Sequence, residues 1–271
     1  MDIKHVYFCE NSLEGILTAV YVAWEAKVGH ANVEIRTKSE DNLEFFCVYH
    51  EVAADLEKAE KVLRTMRRKL GTEITEDICY AACAEDEEKG TAIYRTLVDC
   101  LSVNGASYGK RRLDILKNPS VRKVVELYKT VWGEYHHYLG FLRFKQITEQ
   151  ILFATITPKH DILLLFQEHF SDRFITEHWI IYDNKRKKAL LHMPYGPCTV
   201  YAGNEQILEQ LSACKDMEQD YERLFQGFCQ SIAIKERTNL DLQRQNLPHR
   251  FREHMVEFEK HMDVRSEKKA F

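Results

Sequence analysis

The segment GFLRFKQI, residues 140–147, carries residue types that suit nucleic-acid binding. If it forms an extended strand, alternation sends Phe141, Arg143 and Lys145 to one face and the intervening residues to the other. Cations neutralise phosphates and release their counterions, and aromatic rings stack on unpaired bases. This face is therefore either a nucleic-acid contact or the solvated side of a sheet, because exposed sheet faces are usually polar.

Two further segments repeat this chemistry, the KRKK run at 185–188 and RTNLDLQRQNLPHRFR at 237–252. Asn and Gln add the ability to hydrogen-bond base edges. The alternative is a turn that is charged only for solubility. The candidate nucleic-acid-binding residues are Arg143, Lys145, Lys185, Arg186, Lys187, Lys188, Arg237, Asn239, Gln243 and Arg250.

A second set of residues could act as general acids or bases, namely His160, Asp161, His169 and Asp183. A histidine near its unperturbed pKa of about 6.5 suits proton transfer. The adjacent pair His160 and Asp161 could instead cap the start of a helix, where an acid also complements the helix dipole. Catalysis requires these groups to converge in one cleft beside the cations.

Motifs for metals and nucleotide cofactors do not support either kind of site. Cys79 and Cys83 have the spacing C-x-x-x-C, but an iron–sulfur motif of that type needs a third cysteine where Asp86 stands. Zinc pairs, glycine-rich phosphate loops and the G-x-S-x-G elbow do not occur. The basic segment NGASYGKRR, residues 104–112, is either a phosphate-binding loop or a solvated connection. We predict no metal and no cofactor.

Composition restricts the class of protein. The chain has 271 residues, 45% of them hydrophobic, with five prolines and a net charge of −4, so it should fold as a globular protein with a real core. This net charge excludes a protein that coats nucleic acid non-specifically through a basic surface. Any site for a polyanion must therefore occupy a limited part of the surface. Residues 73–90 hold seven acids against one lysine, whereas residues 110–150 hold nine Lys or Arg against four acids. The sequence shows no export signal or membrane span, so we expect a cytoplasmic protein with reduced cysteines.

The first half is predicted to begin as β-α-β and then to become helical. IKHVYFC and NVEIRT have the composition of strands, and between them SLEGILTAVYVAWE has helical spacing. Asn11 is the expected N-cap of that helix, and Gly29 suits the position after its end. Apolar stripes then predict helices across residues 52–137.

The second half changes to a period of two. GFLRFKQ and QILFATIT are predicted strands, PKHDILLLFQEHFSDRF a helix that starts at Pro158, and HWIIYDNKRKKALLHM a hairpin. The C-terminal part is predicted to be helical with a break at NLPHRF. The fold class is therefore α+β, with a small antiparallel or mixed sheet in a β-β-α-β-β layer. The expected domains are 1–138 and 139–271, unless the two parts form one domain.

The order of four segments resembles a bacterial family of unknown function labelled "probable DNA metabolism protein". These segments are SLEGILTAVYVAWE, GFLRF with LFATITPKHDILLLFQEHFSDRF, HWIIYDNKRKKALLH, and RTNLDLQRQNLPHRF. The resemblance implies a radical-SAM partner protein that repairs or modifies DNA, and some members are fused to a uracil-DNA-glycosylase-like domain. It implies no reaction. The matched polar residues are Arg143, His160, Asp161, His169, Arg173, Trp179, Asp183, Arg237, Asn239, Gln243, Gln245 and Arg250.

Three hypotheses for the function follow. The first is an accessory protein of DNA repair or modification that binds DNA and a radical-SAM partner, with Arg143, Lys145 and the 185–188 turn on phosphates. The second is an enzyme that acts on a damaged base or nucleotide. The third is a protein-interaction module without nucleic-acid contact, in which the acidic stretch 73–90 meets a basic partner.

Overall fold

A computed structural model gives the structure of residues 3–37, 44–101, 117–202, 205–213, 227–228, 231, 239–255 and 258. The chain divides into two compact units, residues 1–133 and 134–271. Each unit combines helices with a small sheet, so the α+β prediction is confirmed. None of the described helices is long and apolar enough to cross a membrane. The basic segment 104–112 lies outside the described residues.

The first unit is built on a parallel sheet of three strands in the order β2-β1-β3. Its described elements, in chain order, are β1 (Lys4–Cys9), α1 (Leu13–Glu25), β2 (Val33–Arg36), β3 (Cys47–Val52), α2 (Leu56–Leu70), α3 (Thr72–Ala82), α4 (Lys89–Leu101) and the start of α5 (Pro119–Phe141). The predicted β-α-β start is therefore observed. Fully buried residues on the central strand and on α1, such as Val6 and Ile16, form the centre of the core.

Helix α1 begins and ends at residues other than those predicted. Ser12, not Asn11, is the N-cap, because its hydroxyl accepts a hydrogen bond of 3.0 Å from the backbone N–H of Gly15. The helix ends at Glu25, whereas Gly29 was predicted to follow its last residue directly. Gly29 has a φ of +88° and serves the turn into a short 3₁₀ helix, His30–Asn32.

A buried lysine holds the end of helix α3. Lys89 is 2% exposed, and its ammonium donates to the carbonyl oxygens of Ala82, at 2.7 Å, and Ala84, at 2.6 Å. Ala82 is the last residue of α3. A cation at a helix C-terminus satisfies carbonyls without an intrahelical partner and complements the helix dipole. Lys89 thus joins the start of α4 to the end of α3.

The second unit contains a mixed sheet of five strands in the order β4-β5-β6-β7-β8. Its described elements after α5 are β4 (Lys145–Thr148), β5 (Ile151–Ile156), α6 (Phe166–Arg173), β6 (His178–Asp183), β7 (Lys188–His192), β8 (Cys198–Tyr201), α7 (Glu205–Ala213), α8 (Leu240–Asn246) and α9 (His249–Arg252). Strands β5 and β6 are parallel, and all other neighbours are antiparallel. The predicted β-β-α-β-β layer and the hairpin are present, and β8 extends the sheet.

Aromatic packing holds helix α6 on this sheet. Trp179 of β6 is fully buried, with its ring 5.0 Å from that of His192 and 6.2 Å from that of Phe170 on α6. Phe144 also meets Phe170 edge to face at 5.3 Å. Offset and edge-to-face aromatic pairs add about 0.5–1.5 kcal/mol each beyond the burial of their area. Trp179, which the family resemblance highlighted, is therefore a core residue.

The prediction of a strand through GFLRFKQI is wrong for its first half. Helix α5 continues to Phe141, and strand β4 begins only at Lys145. The guanidinium of Arg143 folds back and donates to the carbonyl oxygens of Gly140, at 2.9 Å, and Leu142, at 3.2 Å. Phe141, Arg143 and Lys145 thus do not form one strand face.

The predicted helix start at Pro158 is also wrong. Residues 157–161 form a loop, and helix α6 begins at Phe166 after a 3₁₀ turn at Leu163–Leu165. His160 and Asp161 consequently lie in an irregular segment rather than in the first turn of a helix. This segment, the 157–161 loop, directly follows strand β5.

Candidate functional site

Two polar segments meet at one edge of the second sheet. Strands β5 and β6 are parallel and end together, with Ile156 paired to Asp183. The 157–161 loop follows β5, and the 184–187 turn follows β6. The backbone N–H of Asn184 donates to the carbonyl of Ile156 at 3.0 Å. Ligands of α/β sheets bind outside the carboxyl ends of parallel strands, so this edge is a natural place for a site.

The carboxylate of Asp183 stabilises the 184–187 turn. Its side chain is fully buried, and Oδ1 accepts the backbone N–H groups of Lys185, at 2.9 Å, and Arg186, at 3.1 Å. Oδ2 lies 3.1 Å from Nη1 of Arg186. Burial raises the pKa of Asp183, while the backbone N–H and the guanidinium of Arg186 act in the opposite direction. Asp183 therefore organises the turn and does not present a carboxylate to solvent.

Arg186 connects the turn to the 157–161 loop. Its Nη2 donates to the carbonyl oxygen of Lys159 at 2.8 Å, and its Nε lies 3.9 Å from a carboxylate oxygen of Asp161. The ammonium of Lys185 donates to the same carbonyl of Lys159 at 3.0 Å. These bonds link the two segments over the sheet edge.

Glu134 on helix α5 holds the 157–161 loop from the other side. The carboxylate is 1% exposed and accepts the backbone N–H groups of Lys159, at 3.0 Å, and His160, at 2.8 Å. Nη1 of Arg250 lies 3.3 Å from Oε1. Because an ionised acceptor gives the stronger kind of hydrogen bond, Glu134 is the principal anchor of this loop.

The sequence analysis did not select Glu134, although a signal was present. The buried residues of α5 follow a helical stripe, Val124, Leu127, Val131, Glu134 and Tyr138. An acid inside an apolar stripe must find donors when the stripe is buried. Its donors are two backbone N–H groups about 25 residues further along the chain, at Lys159 and His160.

The C-terminal segment packs on the same loop. Phe251 is buried and meets Tyr138 edge to face at 4.9 Å. His254 Nε2 lies 2.9 Å from Oγ1 of Thr157, and the backbone N–H of Thr157 donates to the hydroxyl of Tyr138 at 3.3 Å. Burial lowers the pKa of His254. The C-terminal segment is therefore connected to the 157–161 loop by His254, through Thr157, and by Arg250, through Glu134.

Burial favours the neutral form of His160 and of His254. Burial lowers the pKa of His160, although the negative charge of Glu134 acts in the opposite direction. His160 is 4% exposed. Together with the buried Asp183, this places two of the predicted acid and base groups inside the protein rather than in an open cleft. The side chain of Asp161, by contrast, is 35% exposed.

We define the loop face as the charged side chains of the 157–161 loop and of the residues linked to it by the contacts above, together with Lys188 at the start of strand β7, whose ammonium lies 3.7 Å from Asp161. Its cations are Lys159, Lys185, Arg186, Lys188 and Arg250, and its acids are Glu134, Asp161 and Asp183. Two of the three carboxylates are buried, whereas the side chains of Lys188 and Arg250 are 42% and 49% exposed. With five cations and three carboxylates, the loop face carries a net charge of +2.

Several predicted residues of the basic set lie elsewhere or have structural contacts. The ammonium of Lys187 is 3.0 Å from Glu209 and 3.1 Å from the amide oxygen of Asn184. Arg143 binds carbonyls at the end of α5, and the ammonium of Lys145 lies 5.8 Å from the centre of the Phe153 ring. Lys187 is thus engaged by an acid of helix α7, and Arg143 by carbonyl oxygens at the end of helix α5.

The remaining predicted residues are distributed along α6 and the C-terminal segment. His169 packs edge to face on Phe170, with 4.9 Å between the rings. The side chain of Asn239 is the N-cap of α8 and accepts the N–H of Leu242 at 3.0 Å. Gln243 is exposed on the same helix, and Arg237 lies outside the described residues. Among the described residues, no group of three His, Cys, Asp or Glu side chains could hold a metal ion.

Fold and site together define an α+β protein with a positively charged loop face at the carboxyl edge of a parallel strand pair. The chain belongs to the family described as "Domain of unknown function (DUF4130)", whose model matches residues 87–257. This match includes every residue of the loop face. Neither the curated proteins nor the solved structures contain a match to this chain.

Proposed function

We propose that this protein binds DNA through the loop face, as an accessory protein of DNA repair or modification. One observation carries the proposal, namely that the loop face brings five cations together with three carboxylates, two of which, Glu134 and Asp183, are buried. Lys188 lies 3.7 Å from Asp161 and Arg250 lies 3.3 Å from Glu134, but five cations against three carboxylates leave the loop face an excess of two positive charges for phosphates. Phosphate contacts of this kind supply most sequence-independent affinity for nucleic acid.

A polyanion suits this face better than a single small anion. The cations come from three segments, the 157–161 loop, the 184–187 turn with Lys188, and Arg250 in the C-terminal segment. Charges spread in this way neutralise successive phosphates, which position a nucleic acid without specifying its sequence. The resemblance to the "probable DNA metabolism protein" family supports DNA as the polymer and a radical-SAM protein as a partner.

The proposal is tested by fluorescence anisotropy with labelled single- and double-stranded oligonucleotides, in salt from about 50 to 200 mM. We expect the logarithm of the binding constant to fall linearly with the logarithm of salt. The double variant Lys159→Ala/Lys188→Ala should flatten this slope by about two units, roughly one for each lost phosphate contact.

A matched control removes two lysines from the first unit. Lys58 and Lys61 on helix α2 lie over the ring of Tyr21, at 5.9 and 5.8 Å from its centre. Lys58→Ala/Lys61→Ala causes the same loss of charge and should leave the slope unchanged. Salt-independent binding by the wild type, or equal slopes in the two double variants, would show that the loop face does not bind phosphate.

A further inference from the structure

The first unit contains a polar cavity that the proposed function does not use. It has a volume of about 790 Å³ and lies at the end of β2, between helix α4 and the first turns of α5. This volume falls within the range of about 300–1,000 Å³ that is typical of small-molecule sites. Its polar lining includes Thr37, Ser120 and arginines from two helices.

The arginines of the cavity are Arg95 on α4 and Arg122 on α5. Both are exposed, and neither side chain makes an ion pair or hydrogen bond with another residue of the described part of the chain. The other two cations of the lining do have partners. Nε of Arg36 lies 2.8 Å from Glu34, and the ammonium of Lys123 lies 2.9 Å from Asp86. Two guanidinium groups thus remain available for an anion in the cavity.

The framework that carries Arg95 is held closely to strand β2. A Cβ atom at Gly90 would lie only 2.7 Å from the carbonyl oxygen of Ile35, so glycine permits the approach of α4. The hydroxyl of Thr91 then bonds both backbone groups of Ile35, its N–H at 3.0 Å and its carbonyl at 3.1 Å. Arg95 follows one helical turn later. Its backbone position is therefore fixed before any ligand binds, which lowers the cost of binding.

The charge of the lining indicates the size and type of the ligand. Glu34 and Glu88, which pair with Arg36 and Lys123, line the cavity together with Glu87 and Glu126. These four carboxylates repel a polyanion such as DNA. They tolerate a ligand with one anionic group and a neutral or cationic body. Arginine forks match phosphate oxygens in geometry and bind them through charge-assisted hydrogen bonds.

We propose that this cavity binds a small phosphate monoester, with Arg95 and Arg122 on the phosphate and the hydroxyls of Thr37 and Ser120 as further polar contacts. This site belongs to the first unit and does not depend on DNA binding by the loop face.

The test is isothermal titration calorimetry of the full chain with inorganic phosphate and with AMP. The wild type should bind at least one of them. Arg95→Ala and Arg122→Ala should each weaken binding about tenfold or more, because each removes charge-assisted hydrogen bonds. Both positions are exposed and helical, so alanine should not disturb folding, which circular dichroism checks.

Arg64→Ala is the matched control. Arg64 is exposed on helix α2, pairs with Glu60 at 3.4 Å and does not line the cavity. It should leave the affinity for phosphate and AMP unchanged. Absence of binding of both probes by the wild type, or equal affinities in wild type and variants, would overturn the proposal. The proposal would also be wrong if the two arginine variants weakened the binding of a DNA duplex but not the binding of phosphate or AMP.

Discussion

Replacing Glu134 by alanine is expected to lower the free energy of unfolding by about 3 kcal/mol, because two backbone N–H groups lose a buried, charged acceptor. The N–H groups belong to Lys159 and His160, and the carboxylate that they share is 1% exposed. The truncation also removes the partner of Arg250. Urea unfolding followed by circular dichroism measures the change.

Two variants define the source of this loss. Glu134→Gln keeps an acceptor oxygen without the charge and should lose less stability than alanine. Glu126→Ala removes an exposed glutamate of the same helix and should change stability by less than about 0.5 kcal/mol. If Glu134→Ala were as stable as Glu126→Ala, the carboxylate would not be the anchor of the 157–161 loop.

The second large effect is expected at Lys89, in the first unit. Lys89→Met retains most of the side-chain volume but removes the donors to the carbonyl oxygens of Ala82 and Ala84. A buried polar group that loses its partner costs about 1–3 kcal/mol, so the two carbonyls together predict a loss of about 3 kcal/mol. Thermal unfolding of the purified variant measures it.

The comparison variant for Lys89 is Lys69→Met, at an exposed position of helix α2. It replaces the same residue type but leaves no buried carbonyl without a donor, and its melting temperature should match that of the wild type. Equal melting temperatures for Lys89→Met and Lys69→Met would contradict the capping role of Lys89. A carbonyl-capping role also predicts that Lys89→Arg is less stable than wild type, because the longer, planar guanidinium does not fit a site 2% exposed.

Local patterns predicted the strands and helices of this chain well where the pattern was long. The hairpin from His178 to His192 was predicted because both strands are apolar and the turn between them is charged. In GFLRFKQI the alternation of apolar and polar residues spans few positions, and the apolar stripe of helix α5 continues into the same segment. Phe141 remains on helix α5, where its ring lies 6.0 Å from that of Phe251, about 110 residues later. Such a contact is not visible in a local pattern.

The conformation of the 157–161 loop depends on residues that are distant in sequence. Thr-Pro is a sound helix start by itself, but the N–H groups of Lys159 and His160 bond to Glu134, and the carbonyl of Lys159 accepts from Arg186. These tertiary bonds satisfy the backbone as well as a helix would. The sequence therefore predicted which residues are polar in this segment, but not their conformation.

For the basic residues, too, the sequence predicted the residue types but not their surroundings. Sequence identified the cations of the 185–188 run, but their partners decide which ones face solvent. Arg186 is tied to Asp183 and to the 157–161 loop, and Lys187 to Glu209. Lys188 and Arg250 also have acidic partners, Asp161 and Glu134, but their side chains are 42% and 49% exposed. The hypothesis of phosphate binding thus moves from the GFLRFKQI segment to the loop face.

Hydrogen exchange measured with and without a DNA oligonucleotide tests the loop face most directly. If DNA binds there, backbone amides of the 157–161 loop and the 184–187 turn should exchange more slowly in the complex, while those of helix α2 should not change. Local opening of these loops governs their exchange, so a bound ligand must slow it. DNA binding that leaves both segments unchanged, or that protects only residues 87–126 of the first unit, would contradict the account.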